Sequence, residues 1–205
     1  MYEDAISYLK KSDPVLKKII LRSGDCKLRP MKNHFAALLE SIVSQQLSVK
    51  ASATIFRRFL ELYPGKRYPK PAAVVASSEA QLRAAGLSRQ KLTYIKDLAE
   101  KFENGLIKPR KFSKMDDQQI IDALTQVKGV GRWTAEMFLI FSLNRLDVLP
   151  VDDLGFRKAV KIAYGLAELP AAAELEKIAE RWRPYRSLAT WYLWASLNNA
   201  PVQMR

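Results

Sequence analysis

Two adjacent carboxylates, Asp152 and Asp153, follow Pro150-Val151 and stand just before a helical pattern that resumes through Phe156, Val160 and Ile162. Aspartate in that place has two uses. Its side chain can cap the helix start by accepting backbone N–H bonds. Ionised and directed at a sugar, it can instead stabilise positive charge developing there and orient water. One member of the pair can cap while its neighbour does chemistry, and both readings stay open. Upstream, Val127-Lys128-Gly129-Val130-Gly131-Arg132 separates two helix-patterned runs. Two glycines at this spacing let the chain turn tightly, expose main-chain N–H groups and open the next helix at Arg132 or Trp133. Such donors suit a backbone phosphate of DNA, which carries no base sequence; an ordinary glycine turn is the alternative.

A second loop repeats the pattern. Gly86 precedes Ser88, a helix-capping residue, and the new helix carries Arg89 and Lys91. Alone it reads as a solvated cap; beside the first loop in a basic chain it reads as a second phosphate contact. Trp133, Trp182, Trp191 and Trp194 all read more readily as core than as base platforms, yet Trp133 adjoins the hairpin and Trp194 lies near the end of a late helix, where both could reach one pocket.

These residues must be positioned by helices. Apolar residues recur at Phe35, Leu38, Leu39, Ile42 and Val43, then at Ile55, Phe56, Phe59 and Leu60, and no strand-length alternation competes. Ile120, Ile121, Leu124 and Val127 form a stripe before the hairpin, and Thr134, Ala135, Phe138 and Phe141 continue one after it. Start and stop signals recur at Ser12-Asp13-Pro14 and Gly24, at Ser48 and Pro64-Gly65, and at Ser88 and Gly105. The pattern predicts an all-α chain of about ten helices. The Pro- and Lys-rich stretches 64–71 and 106–113 read as basic surface loops.

With 205 residues, the chain can bury a real core as one domain or two closely packed lobes. Lys plus Arg number 34 against 21 Asp plus Glu, a formal net charge of +13 that favours a polyanionic partner. Cys26 is the only cysteine, which leaves neither a disulfide framework nor a four-cysteine zinc or iron–sulfur site. His34 is the only histidine and reads as a surface or helix-start residue. No apolar run approaches the ~20 residues that span a bilayer, and Met1-Tyr2-Glu3-Asp4 lacks the basic start of a secretory signal. The chain is therefore expected to be soluble and intracellular, with no membrane partner.

Taken together, Val-Lys-Gly-Val-Gly-Arg-Trp-Thr-Ala (127–135), Pro-Val-Asp-Asp-Leu-Gly (150–155) and Arg-Pro-Tyr-Arg-Ser (183–187) resemble the helix-hairpin-helix DNA glycosylases, within them the alkylbase branch of DNA-3-methyladenine glycosylase II. The resemblance extends through Ser12-Asp13-Pro14-Val15-Leu16, Ile42-Val43-Ser44-Gln45-Gln46-Leu47-Ser48 and Gly86-Leu87-Ser88. It implies one unit over 1–205 made of two helical lobes with an active-site cleft between them. Lobe A covers about 34–145 and contains the hairpin 127–132; lobe B is 1–33 plus 146–205. It implies no iron–sulfur cluster, and none of the amino-terminal β-rich domain of larger members.

The resemblance puts the catalytic carboxylate on Asp153, with Asp152 as the alternative. It places the base pocket on Trp133, Met137 and Trp194, where Met137 departs from the family's aromatic third position. DNA contacts fall on Gly129, Gly131, Arg132, Gly86, Ser88, Arg89 and Lys91. The residue that fills the vacated stack falls on Gln46 or Leu47, for which simple helix-end capping is the competing reading. Relatives that also cut the strand hold a lysine directly after Gly-Val-Gly-Arg; here that residue is Trp133, so no Schiff base forms there.

The implied activity is that of a monofunctional glycosylase that flips out cationic purines such as 3-methyladenine and 7-methylguanine from double-stranded DNA and leaves an abasic site. A cationic base between indoles would gain ~0.5–2 kcal/mol of cation–π attraction. No cofactor and no catalytic metal are implied, although carbonyls near Thr125, Val127 and Val130 suit a structural monovalent cation. The implied protein is a monomer, cytoplasmic and nucleoid-associated in a bacterium or nuclear in a eukaryote. Two other readings remain: a non-catalytic helix-hairpin-helix DNA-binding protein, and a glycosylase for mismatched or oxidised bases.

Overall fold

The computed structural model describes residues 2–65 and 67–197; Met1, Lys66 of the 64–71 connector and residues 198–205 lie outside the described residues. Among the described residues the regular structure is helical, with twelve α-helices and two 3-10 segments. In chain order the helices are α1 (Glu3–Ser12), α2 (Pro14–Ser23), α3 (His34–Ser44), α4 (Val49–Glu61), α5 (Pro71–Ala76) and α6 (Glu79–Ala84). Then come α7 (Arg89–Glu103), α8 (Asp117–Leu124), α9 (Arg132–Phe141), α10 (Leu154–Tyr164), α11 (Ala172–Ala179) and α12 (Arg186–Leu197). None of the helices is long and apolar enough to cross a membrane.

The expected caps are where the sequence puts them. Asp13 accepts from the Val15 and Leu16 N–H groups at the start of α2, Ser48 from Ala51 at α4, and Ser88 from Lys91 at α7. The expected count of about ten helices is exceeded because α5 and α6 are six residues each, too short to show a helical period. The 106–113 stretch also departs from a plain surface loop. It runs into the 3-10 segment Pro109–Lys114, and the side chains of Ile107 and Phe112 are buried.

The chain divides into two compact units. A terminal unit comprises Met1–Pro30 with Leu139–Arg205, and a central unit comprises Met31–Phe138; the sequence pattern sets the crossings near 34 and 145. In the terminal unit α12 is the inner helix, with every residue from Ser187 to Ala195 buried. A helix apolar around its whole circumference must be enclosed, and α2 and α10 pack against it, with α1 on α2. Asp13 is fully buried in this unit and accepts from the Tyr164 hydroxyl at 2.6 Å and the Trp182 indole at 2.9 Å as well as from its cap donors. Burial and the neighbouring Asp13 carboxylate push the Tyr164 phenol far up.

In the central unit α3 buries Phe35, Ala36, Leu38, Leu39, Ile42 and Val43 and packs on α4 and α7, while α5 lies along α7. His34 opens α3, half-buried with its ring edge-on to Phe112 and Phe138.

Candidate nucleic-acid interface and candidate active site

The hairpin belongs to the central unit. Asp116 and Gln119 form a reciprocal capping box at the start of α8. Beyond its end, Val127 and Val130 are buried and the Val130 N–H donates to the Val127 carbonyl at 3.0 Å, which anchors the turn. Its two glycines serve different ends, a correction to the reading that both are needed for tight turning. Gly129 has φ +80°, and a Cβ there would lie 2.1 Å from Cδ2 of the Tyr94 ring. Gly131 has no left-handed φ, and a Cβ there would meet nothing within 4 Å. The fold requires glycine at 129 and leaves the space over 131 open. The Lys128 N–H is consumed internally, donating to Asp97 Oδ2 at 2.8 Å, while Lys101 holds Asp97 Oδ1 at 2.6 Å.

The turn after α3 is tied to the hairpin. The Gln45 side-chain amide donates to the Gly129 carbonyl at 2.8 Å. Lys91 donates its ammonium to the Val43 carbonyl at 2.6 Å and the Gln45 carbonyl at 2.7 Å, closing the C-terminal end of α3. Burial draws the Lys91 ammonium below its usual value. The Lys91 charge faces helix-end carbonyls, which carry partial negative charge. Gln46 takes φ +56°, uncommon for a side-chain-bearing residue. Gln46 is exposed, with Leu47 39% and Val49 82% exposed beside it.

Gly86 has φ +99° and lies against Ile55, Ser88 caps α7, and Arg89 is exposed at its start. Arg132 opens α9 with its guanidinium held by Glu136 at 3.1 Å and Gln118 at 3.2 Å, still half-exposed. Trp133 is 41% exposed, whereas Met137 is buried.

The carboxylate belongs to the terminal unit, and the structure separates the pair. Asp152 is exposed in the turn. Asp153 is half-buried and is the N-cap of α10, accepting on Oδ1 both the Phe156 N–H and the Trp194 indole N–H, the latter at 2.9 Å. Trp194 is 9% exposed, and its ring stacks on Phe141 at 5.9 Å between centroids and 21° between planes. Trp182 and Trp191 are core residues, as expected.

The Arg-Pro-Tyr-Arg-Ser motif holds the strand of chain that leads to Asp153. Arg186 grips Asp147 through Nε at 2.6 Å and Nη2 at 3.0 Å, and Arg183 adds a contact at 2.8 Å. Ser187 donates to the Arg145 carbonyl at 2.7 Å and accepts from the Val148 N–H at 2.9 Å. Sequence reasoning missed Gln45, Tyr94, Asp97 and Asp147, whose partners are remote in the chain and leave no local signal.

No group of three or more His, Cys, Asp or Glu side chains converges on a metal position among the described residues. The Thr125, Val127 and Val130 carbonyls fit a structural cation chemically: Thr125 ends α8, and a carbonyl already accepting a hydrogen bond, as Val127 does, keeps a second lone pair. Such an ion would brace the hairpin and take no part in a reaction.

A helical chain with a glycine hairpin between two helices and a capped, half-buried aspartate defines a class. The model of the HhH-GPD superfamily base excision DNA repair proteins matches residues 39–184, and the chain belongs to that family. It is 38% identical over 80% of its length to DNA-3-methyladenine glycosylase 1 of Schizosaccharomyces pombe, covering 72% of that protein. It is 32% identical over 94% of its length to the alkylbase DNA glycosidase-like protein mag2 of the same yeast, covering 92% of it. Among solved structures, the S. pombe 3-methyladenine DNA glycosylase Mag1 in complex with abasic DNA superposes with a TM-score of 0.83 at 34% identity, over 96% of this chain and 98% of that one.

Proposed function

We propose that the chain is a monofunctional DNA glycosylase that excises alkylated, positively charged purines from double-stranded DNA in base excision repair and acts as a monomer. The names of its relatives support the reaction class. The observation that carries the assignment is Asp153, an aspartate fixed at a helix start by two N–H donors from different helices.

The chemistry asks little of an acid. An N-alkylated purine is cationic and leaves as a neutral base, so the work is to expose the glycosidic bond and stabilise charge on the sugar. Phosphates are held by the hairpin at Gly129, Gly131 and Arg132 and by the loop at Gly86, Ser88 and Arg89, which positions DNA without reading sequence. Gln46 fills the vacated stack, a reading supported by its exposure and left-handed backbone, with exposed Leu47 beside it. Filling it offsets the few kcal/mol of unstacking. Trp133 offers an exposed indole face to an electron-poor base. Asp153 stabilises the oxocarbenium-like sugar and orients water. Trp133 at the position of a lyase lysine leaves no amine for a Schiff base.

The test is incubation with methylated duplex DNA and identification of the released bases. Release of 3-methyladenine or 7-methylguanine, with strand breaks appearing only after added alkali, is expected. Strand nicking without alkali would make it a lyase, and tight DNA binding with no base released would make it a binding protein.

A further inference from the structure

Resting on that reading, we propose that Trp194 is a positioning residue for Asp153 rather than a platform for the extruded base. The indole N–H and the Phe156 N–H converge on the same oxygen, Oδ1. One donor comes from the first turn of α10 and the other from α12, so the carboxylate is fixed both along the α10 axis and in rotation about its own side-chain bonds. The indole is itself fixed, because Phe141 lies nearly parallel to it. Trp194 is 9% exposed, against 41% for Trp133.

Gly155 is part of the same arrangement. A Cβ at that position would lie 3.2 Å from Asp153 Oδ1 and 3.6 Å from Trp194 Nε1. Gly155 has no left-handed φ that would require glycine. A methyl there would press on the carboxylate, which would have to give by a few tenths of an ångström, while meeting the indole at ordinary contact distance. A transition-state stabiliser works only when it needs no reorganisation at the moment of reaction, and Trp194 with Gly155 supplies that rigidity.

Two changes separate the hydrogen bond from packing. Incorporating 3-benzothienylalanine at position 194 puts sulfur where the indole has its N–H and preserves the shape; Gly155→Ala keeps the N–H and crowds the pair. Both are expected to slow single-turnover excision of 7-methylguanine by about 10- to 100-fold, the range spanned by one hydrogen bond to a charged group. The dissociation constant for duplex DNA with a tetrahydrofuran abasic site is expected to stay within about twofold, because phosphate contacts are untouched. The thermal midpoint of the sulfur isostere is expected to fall by only a few degrees, since the shape is kept while one hydrogen bond to Asp153 is lost. Excision by the isostere at the parental rate would overturn the proposal, as would a loss confined to DNA affinity. A parental protein that releases no alkylpurine sinks the glycosylase reading and this inference with it. Parental activity that is lost in Asp153→Asn but kept in the isostere sinks this inference alone.

Discussion

Gln45 donates its side-chain amide to the main-chain carbonyl of Gly129 at 2.8 Å, joining residues 84 positions apart. With Lys91 closing the end of α3 on the Val43 and Gln45 carbonyls, the turn that carries Gln46 and the Gly129 hairpin are joined by hydrogen bonds. Removing the Lys91 donors leaves two carbonyls short of partners. Lys91→Met is therefore expected to destabilise the protein by about 1–3 kcal/mol and to lower the excision rate more than the affinity for abasic DNA. If Lys91→Met weakened DNA binding as a phosphate contact would, with no change in thermal midpoint, this placement of Lys91 would be wrong.

The hairpin glycines allow a paired comparison. Gly129→Ala forces a methyl group into the Tyr94 ring at a left-handed φ and is expected to cost about 1–3 kcal/mol of stability. Gly131→Ala meets open space, so its stability is expected within about 0.5 kcal/mol of the parent, while DNA affinity falls because the methyl occupies the approach of a phosphate. Equal melting behaviour for the two variants would contradict the distinction.

Asparagine is as good a helix cap as aspartate. Asp153→Asn is accordingly expected to fold and bind abasic DNA like the parent, yet to lose about 10²–10³-fold or more in single-turnover excision. Asp152→Asn, at an exposed position, is expected to excise normally. The reverse ranking would move the role to Asp152.

Asp97 links hairpin stability to acid. Burial acts to raise its carboxyl, but the hydrogen bonds from Lys101 and the Lys128 N–H, together with both positive charges, outweigh that and hold it below the usual value. A folded-state value below the unfolded one (about 3.9 for aspartate) adds stability that is complete above the unfolded value and is lost as pH falls through the folded one. The anchor is thus insensitive to pH near neutrality and weakens below about pH 4. Asp97→Asn is expected to flatten the fall of the thermal midpoint in that acid range. An unchanged slope would show that the anchor lies elsewhere.

Asp13 accepts four hydrogen bonds while fully buried. Asp13→Ala strands the Tyr164 and Trp182 donors and removes a cap, and is expected to cost about 3–5 kcal/mol, well beyond a simple cap loss. Chemical denaturation decides the matter, and a loss near 1 kcal/mol would mean that the buried donors find other partners.

Helix starts were legible because a cap acts within three residues: Asp13, Ser48 and Ser88 each bond to the turn they open. Six-residue helices such as α5 and α6 carry too few apolar positions to declare a period. At the site, the Gly129 turn and the Asp152-Asp153 pair stood out from local pattern, and only the family resemblance chose Asp153 between the two. The use of Lys91 was not, since a lysine in the first turn of a helix looks the same whether it faces solvent or the carbonyls of α3, nearly 50 residues back. Gly131 and Gly129 likewise look alike in sequence, and only the Tyr94 ring tells them apart.

The chain segment leading to Asp153 is stapled to α12 at both extremities, by Asp147 on Arg186 and Val148 on Ser187 at one and by Asp153 on Trp194 at the other. Opening that segment requires peeling it from the innermost helix of its unit. Its amide hydrogens are therefore expected to exchange on the slow schedule of α12 rather than with the surface loops, which makes a loop without regular structure one of the most persistent parts of the molecule.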